Sequence, residues 1–285
     1  MKRYAVIIDS STTVPKEIEN HPDLYMTHLA FTIDGKEFKD GLDLTYEEFL
    51  KALKADKDMT SSMPTFGEVM RVYNEVKEQD YDHIFVISIS SKLSGTYNAF
   101  YMVQEELKIA NLTVIDSFTV AGPLGIMAQA VFELAKLDAE VDEVVSTLNY
   151  LIDNTLSFII PLNLNRLMKS GRVNKAVGTL SNLLKLKVIL VLENKAAAID
   201  KFDVTRTQKR AFSKVSEALK NFGVNAKEYA LIISGVDQSS PVMEAITSLK
   251  QSFGPIKIHQ QVLPSILALH GGLGAITIQA IRTSY

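Results

Sequence analysis

The chain has 285 residues, 47% hydrophobic and 22% charged, with a net charge of -3 at pH 7. That apolar share fills the cores of about two domains and excludes intrinsic disorder, while 30 basic against 33 acidic side chains exclude the basic footprint of a nucleic-acid binder. No run approaches the roughly 20 apolar residues of a bilayer span, and without cysteine there is neither a disulfide framework nor a thiolate metal site.

Met1-Lys2-Arg3 carries signal-like charge, but the apolar run behind it ends at Asp9, short of a signal core, so a cytoplasmic location is expected. Tyr4–Ile8 reads as a first strand running into Asp9-Ser10-Ser11. Pro15 then stands where a first helical residue belongs, with Thr12 or Thr13 as its cap. His28–Ile33, Asp34-Gly35 and Glu37–Asp40 form a small hairpin pattern. Thr45 with Glu48 makes a capping box opening a helix to about Ala55. Thr60-Ser61-Ser62-Met63-Pro64 reads as a polar loop, after which Thr65 and Glu68 cap the next helix.

Two more strand-helix units follow. His83–Ile89 leads into Ser90-Ser91-Lys92-Leu93-Ser94-Gly95-Thr96 before a helix, Thr113–Ile115 leads into Asp116-Ser117, again before a helix, and a helix ends near Asp153. The pattern then changes. Ser157–Pro161, Lys187–Leu192 and Ala198–Val204 read as strands, with Asn194-Lys195 as a turn. A helix over about Thr207–Phe222 precedes a strand at Glu228–Ser234, a helix after Pro241, and strands at Ile256–Leu263 and Ala275–Ile281. The expected architecture is α/β: an N-terminal parallel-sheet α/β/α domain over 1–158 and a C-terminal mixed α+β domain over 159–285.

In a parallel α/β domain, ligands bind where loops leave the carboxyl ends of the strands. Ser10, Ser11, Ser61, Ser62, Ser90, Ser91, Ser94 and Thr96 fall at such places. Each is also a good helix cap. Ser94-Gly95-Thr96 opening a helix offers free N–H groups and the positive end of the helix dipole, which suits a carboxylate or phosphate. A hydrolase elbow fails here, because Lys92 and Thr96 stand where glycines belong. Serine hydrolysis of an ester by Ser94 and His270, with Asp116 orienting the histidine, stays open as an alternative, as does binding of a small anion such as phosphate. No phosphate loop or complete dinucleotide fingerprint occurs, and the five histidines include no pair at metal-ligand spacing, so neither metal nor cofactor is expected. His270 stands apart from the other histidines because Gly271-Gly272 and Gly274 follow it. Arg172 and Arg206 each supply a guanidinium fork at a loop or element junction.

These pieces resemble the DegV family, the fatty-acid-binding group that includes the lipid-carrier subunit of bacterial fatty acid kinase. The resemblance rests on Asp9-Ser10-Ser11, Ser61-Ser62-Met63-Pro64, Ser90 to Asn98, Asp116-Ser117, Leu164 to Arg172, Thr205-Arg206-Thr207 and His270-Gly271-Gly272-Leu273-Gly274. They run in family order over essentially the whole chain. Met63, Ser170 and Val188 depart from the family's usual glutamine, glycine and proline. The resemblance implies a non-catalytic protein that holds a long-chain fatty acid in a buried tunnel between two domains. It implies that Ser61, Ser94 and His270 bind the carboxylate, supported by Ser62, Gly95, Thr96, Asp9 and Ser10. It further implies that a separate ATP-dependent kinase subunit phosphorylates that carboxylate to an acyl phosphate, with Arg172 and Arg206 handling the phosphoryl group or the partner.

Overall fold

Short, fully buried aliphatic strands organise the first half of the computed structural model, which describes residues 2–162, 164–174, 186–193, 195–196, 198–237 and 240–284. Every residue of β1 (Tyr4–Asp9) is buried, as are five of the six in the strand at His83–Ser88. Such continuous apolar runs belong in a parallel sheet covered on both faces. Two compact units result, one comprising Met1–Tyr150 with Pro264–Ile266 and the other Leu151–Leu263 with Leu267–Tyr285.

In the first unit β1 is followed by β2 (Leu24–Thr27), then by β3 (Ala30–Ile33), β4 (Lys36–Lys39), α1 (Tyr46–Lys54), β5 (Met59–Ser62) and α2 (Phe66–Lys77). After these come β6 (His83–Ser88), α3 (Thr96–Leu107), β7 (Leu112–Asp116), α4 (Gly122–Lys136) and α5 (Val141–Asp153). The main sheet has the order β2-β1-β6-β7 and is parallel throughout. Val69, Val72, Tyr73 and Val76 of α2, with Ala99, Phe100 and Val103 of α3, pack on Ala5, Ile7, Ile84 and Val86. A second, antiparallel sheet has the order β4-β3-β5.

The Thr45–Glu48 capping box is present, and the Thr65 hydroxyl accepts from Glu68 N at the start of α2. Two expectations are corrected. The segment after Pro15 makes turns over residues 16–20 instead of a helix. The expected polar loop at Thr60–Pro64 is in its first half a strand, because Thr60, Ser61 and Ser62 pair with Thr32, Phe31 and Ala30.

The second unit contains β8 (Thr155–Ile160), α6 (Leu164–Lys169), β9 (Lys187–Leu192), β10 (Asp200–Thr205), α7 (Gln208–Asn221) and β11 (Tyr229–Gly235). It closes with α8 (Ser240–Phe253), β12 (Lys257–Val262), α9 (Ser265–Gly271) and β13 (Ile276–Arg282). Its sheet runs β10-β9-β8-β13-β11-β12, with only the β11–β12 pair parallel. One face packs on α7 and α8 through Phe158, Ile189, Leu231, Ile233, Phe212, Val215 and Leu249. A division at 158/159 would cut β8, all of which joins the second sheet; the units divide at 150/151, within the last turn of α5, and Pro264–Ile266 returns to the first. Of the expected Asn194-Lys195 turn, Asn194 lies outside the described residues. His270 and Gly271 close a helix, where a glycine turn was expected to begin. Among the described residues, no helix is long and apolar enough to cross a membrane.

Candidate functional site

In the first unit, parallel pairing brings the carboxyl ends of β1 and β6 side by side, and Asp9 ties them together. Its Oδ2 accepts from Ile89 N at 2.7 Å, and its Oδ1 accepts from Ser11 N at 3.0 Å and from the Ser11 hydroxyl. The carboxyl is fully buried, and burial pushes its pKa up against those hydrogen bonds. Ser10 is wired in the same way. Its N donates to Thr27 O at 3.0 Å, its Oγ accepts from Leu29 N at 3.1 Å, and it also bonds the buried carboxyl of Asp40. Asp40 holds Ser265 and the backbone of Ile266 as well, and burial raises its pKa too. Asp9 and Ser10 therefore have their polar atoms engaged by the scaffold at the carboxyl end of β1.

The Ser90–Ser94 segment is shaped by its own backbone. Leu93 N and Ser94 N both donate to Ser90 O, at 3.0 and 3.1 Å, and Ser90 N donates to Thr119 O at 3.0 Å. Asp116 fastens the segment from β7, its Oδ1 accepting from Ser91 N at 3.1 Å and Phe118 N at 3.0 Å. That is a loop-building role for Asp116, distinct from the orientation of a catalytic histidine.

The turn delivers Ser94, Gly95 and Thr96 to the amino end of α3. Gly95 is the N-cap, and a glycine has no side chain with which to cap the helix. Ser94 Oγ lies 2.8 Å from Thr96 Oγ1 and accepts from Thr96 N at 3.3 Å. Two hydroxyls thus flank an N-terminus whose dipole favours an anion. A Cβ on Gly95 would sit 2.7 Å from Met63 Sδ, so only glycine lets the thioether lie this close. The contact brings the Ser61-Ser62-Met63 segment to the start of α3. Ser61 is half-buried and Ser62 exposed, both on β5 of the small sheet and not on a loop of the main sheet as expected.

In the second unit, His270 occupies the last turn of α9, followed by Gly272 at φ 73° and Gly274 at φ 71°. Its burial, with the charge of Arg172 second, lowers its pKa to about 4, so it is a neutral imidazole at pH 7. A neutral ring has one N–H donor and one acceptor nitrogen. Arg172 is fixed by its neighbours: Nη1 donates to Ser170 O at 2.6 Å, and its carbonyl accepts from Ile199 N at 3.1 Å. Arg206 is exposed between Thr205, which ends β10, and Thr207, whose hydroxyl accepts from Arg210 N to cap α7.

Sequence reasoning did not single out Asp40 or Arg166, which lie beside residues it did name. Asp40 was read only as the end of a hairpin; it stands in a charged stretch beside Lys39 and Gly41, and its burial against Ser10, Ser265 and Ile266 comes from tertiary packing that the local sequence does not announce. Arg166 lies with its Cδ 3.4 Å from where a Gly272 Cβ would be, bringing a second guanidinium to the His270 turn; the Leu164-to-Arg172 stretch contained it. A cavity of about 640 Å³ in this unit is walled by Leu156, Phe158, Val191, Phe202, Ala218 and Phe222. Its lining includes neither His270 nor Arg172 nor Arg206, so it is separate from the predicted residues. Among the described residues, no group of three or more His, Cys, Asp or Glu could hold a metal ion.

Comparison with known proteins places these features in context. A family model described as "Uncharacterised protein, DegV family" matches residues 3–283. A DegV domain-containing protein of Staphylococcus aureus is 30% identical over 286 residues, covering 99% of this chain and all of the relative. Among solved structures, a fatty acid binding DegV family protein from Streptococcus agalactiae superposes with a TM-score of 0.90 at 24% identity, covering 100% of both chains. A DegV lipid binding protein from Thermotoga maritima gives 0.86 at 25% identity, covering 100% of this chain and 99% of that one. The mixed architecture of a parallel-sheet unit and a second mixed-sheet unit is that of these proteins.

Proposed function

The chain belongs to the DegV family, and on that premise we propose that it binds a long-chain fatty acid without itself catalysing a reaction. The observation that carries this reading is the amino end of α3, whose N-cap is a glycine without a capping side chain and which the Ser94 and Thr96 hydroxyls flank. A carboxylate taken out of water is costly unless donors surround it. Ser61, Ser94 and the neutral His270 are assigned that task, with Gly95 and Thr96 contributing the helix end and Ser62, Asp9 and Ser10 supporting it. The acyl tail supplies most of the affinity. At about 0.8 kcal/mol per buried CH₂, some 14 methylenes contribute roughly 11 kcal/mol gross, before ordering and association losses.

The finer reading is that a separate ATP-dependent kinase subunit phosphorylates the held carboxylate to an acyl phosphate in the cytoplasm. Arg172 and Arg206 then meet the phosphoryl group or the partner, since guanidinium forks match phosphate oxygens. A serine hydrolase is disfavoured by the partners of Ser94, which are the hydroxyl and N–H of Thr96 and not a general base.

The test is titration of the delipidated protein with a fluorescent fatty acid, beside an ester-hydrolysis assay and a phosphate titration. Saturable acyl binding without hydrolysis supports the proposal. Ester turnover that Ser94→Ala abolishes, or phosphate binding without acyl binding, overturns it.

A further inference from the structure

Met63 lies between the end of β5 and Pro64, which is buried and leads into the Thr65 cap of α2. A residue before proline is held extended, so the chain on both sides fixes where the Met63 side chain departs. Its sulfur rests against Gly95, at the distance where a Cβ there would come within 2.7 Å of Sδ. The same side chain is 50% exposed to solvent. A half-exposed methionine thus sets its sulfur against the N-cap of the helix end assigned to the fatty-acid carboxylate.

A thioether is neutral and a weak acceptor. Its oxidation product is different in kind. Methionine sulfoxide carries a polar, strongly accepting oxygen on the sulfur, and reductases reverse the change. At this position that oxygen is one bond from an atom already seated on the α3 N-cap, where N–H groups, the helix dipole and the Ser94 and Thr96 hydroxyls all favour an acceptor.

We propose that Met63 is a reversible oxidation site whose sulfoxide oxygen occupies the donors at the start of α3 and so expels the fatty-acid carboxylate. This rests on the fatty-acid reading above. The oxidant is a peroxide. A sulfur lone pair attacks one peroxide oxygen, the S–O bond forms as the O–O bond breaks, and hydrogen peroxide leaves as water after the proton shifts to the departing hydroxide. Sulfur is oxidised by two electrons and the peroxide reduced by two. The sulfoxide then competes as a tethered group, so the apparent affinity falls by the fraction of molecules in which the site stays open.

Two other methionines serve as internal references. Met102 on α3 is 58% exposed and Met243 on α8 is 50% exposed, so all three meet a soluble peroxide.

The experiment uses the full chain. Fluorescent fatty-acid affinity is measured before hydrogen peroxide, after it, and after treatment with methionine sulfoxide reductases, with peptide mass mapping to locate the added oxygen. Wild type and the Met102→Leu/Met243→Leu double variant are expected to lose roughly tenfold or more in affinity on oxidation and to regain it on reduction. Met63→Leu, whatever its own starting affinity, is expected not to respond to peroxide. The proposal is overturned if Met63 carries the oxygen and affinity is unchanged, if Met63→Leu responds as wild type does, or if peroxide oxidises Met102 and Met243 but spares Met63. Should Met63→Leu not fold, recovery of affinity in step with loss of the Met63 oxygen under the reductases decides the matter in wild type alone. An absence of acyl binding before any peroxide is added refutes the functional reading itself, and is read separately at the first step.

Discussion

Replacing Ser94 with alanine separates a capping hydroxyl from a ligand-binding one, because the two roles differ in what they cost. In the unliganded chain Ser94 Oγ bonds Thr96 Oγ1 at 2.8 Å and accepts from Thr96 N at 3.3 Å, at a half-buried position. Losing two such neutral and partly solvated bonds costs about 0.5–1.5 kcal/mol of folding stability. A hydroxyl that donates to a buried carboxylate makes a charge-assisted bond, and its removal costs about 1.5–3 kcal/mol of affinity, a factor of roughly 10 to 150 in Kd. Ser94→Ala is therefore expected to show a small shift in the urea midpoint and a large loss of fatty-acid binding. Ser94→Thr, which keeps the hydroxyl, is expected to retain most of both. The measurements are a fluorescent fatty-acid titration and a urea melt on the same preparations. A Kd unchanged in Ser94→Ala while its stability falls by the expected amount refutes the reasoning and leaves Ser94 as a capping residue only.

Other expectations follow from the same geometry. On the proposed kinase reading, Arg172→Ala and Arg206→Ala are expected to leave fatty-acid loading nearly intact, since acyl burial dominates affinity, but to slow acyl phosphate formation with ATP and a cognate kinase subunit by about 3–4 kcal/mol of barrier; loss of loading in step with transfer would refute that division. For Glu68, burial alone would raise the pKa, yet the hydrogen bonds and charges of Arg71 and Lys39 bring it down to about 2. That contribution is present above the ordinary value of 4.5 and lost as pH falls toward 2. With both partners half exposed it amounts to about 1–2 kcal/mol, and urea melts of Glu68→Gln should converge with wild type near pH 2–3. His270 has the opposite chemistry. Its pKa falls from 6.5 to about 4 on folding, so stability is full above pH 6.5 and declines by about 2–3 kcal/mol as pH drops toward 4. His270→Asn should flatten that part of the pH–stability curve, and an unchanged slope would contradict the burial argument.

How much of this was legible in the sequence depends on where each element draws its stability. The strands at Tyr4–Asp9 and His83–Ser88 announce themselves because sheets covered on both faces need unbroken apolar runs. The Thr45–Glu48 box is a local code, and it formed as read. Met59–Ser62 was misread because three of its residues are hydroxyl-bearing and polar; only its ladder to Ala30–Ile33 makes it a strand, and that partner lies far away in sequence. Leu24–Thr27 was not recognised, being a four-residue strand that gains its place by pairing with β1. Pro15 misled in the other direction, since a proline that suits a first helical turn also suits the turns that follow it. At the site, the cluster Ser94-Gly95-Thr96 was visible as a helix opening. That Met63 lies on Gly95 was not, because the contact joins residues 32 positions apart through tertiary packing.

The central claim is that this chain carries a fatty acid, and native mass spectrometry of the full chain tests it most directly. The delipidated protein is incubated with a mixture of long-chain saturated and monounsaturated fatty acids, exchanged into a volatile buffer, and its intact mass recorded beside Ser94→Ala. The account expects a one-to-one adduct with one acyl class enriched in wild type, and a much weaker adduct in the variant. A wild-type spectrum showing only the bare chain, or a statistical ladder of adducts identical in both proteins, would contradict it.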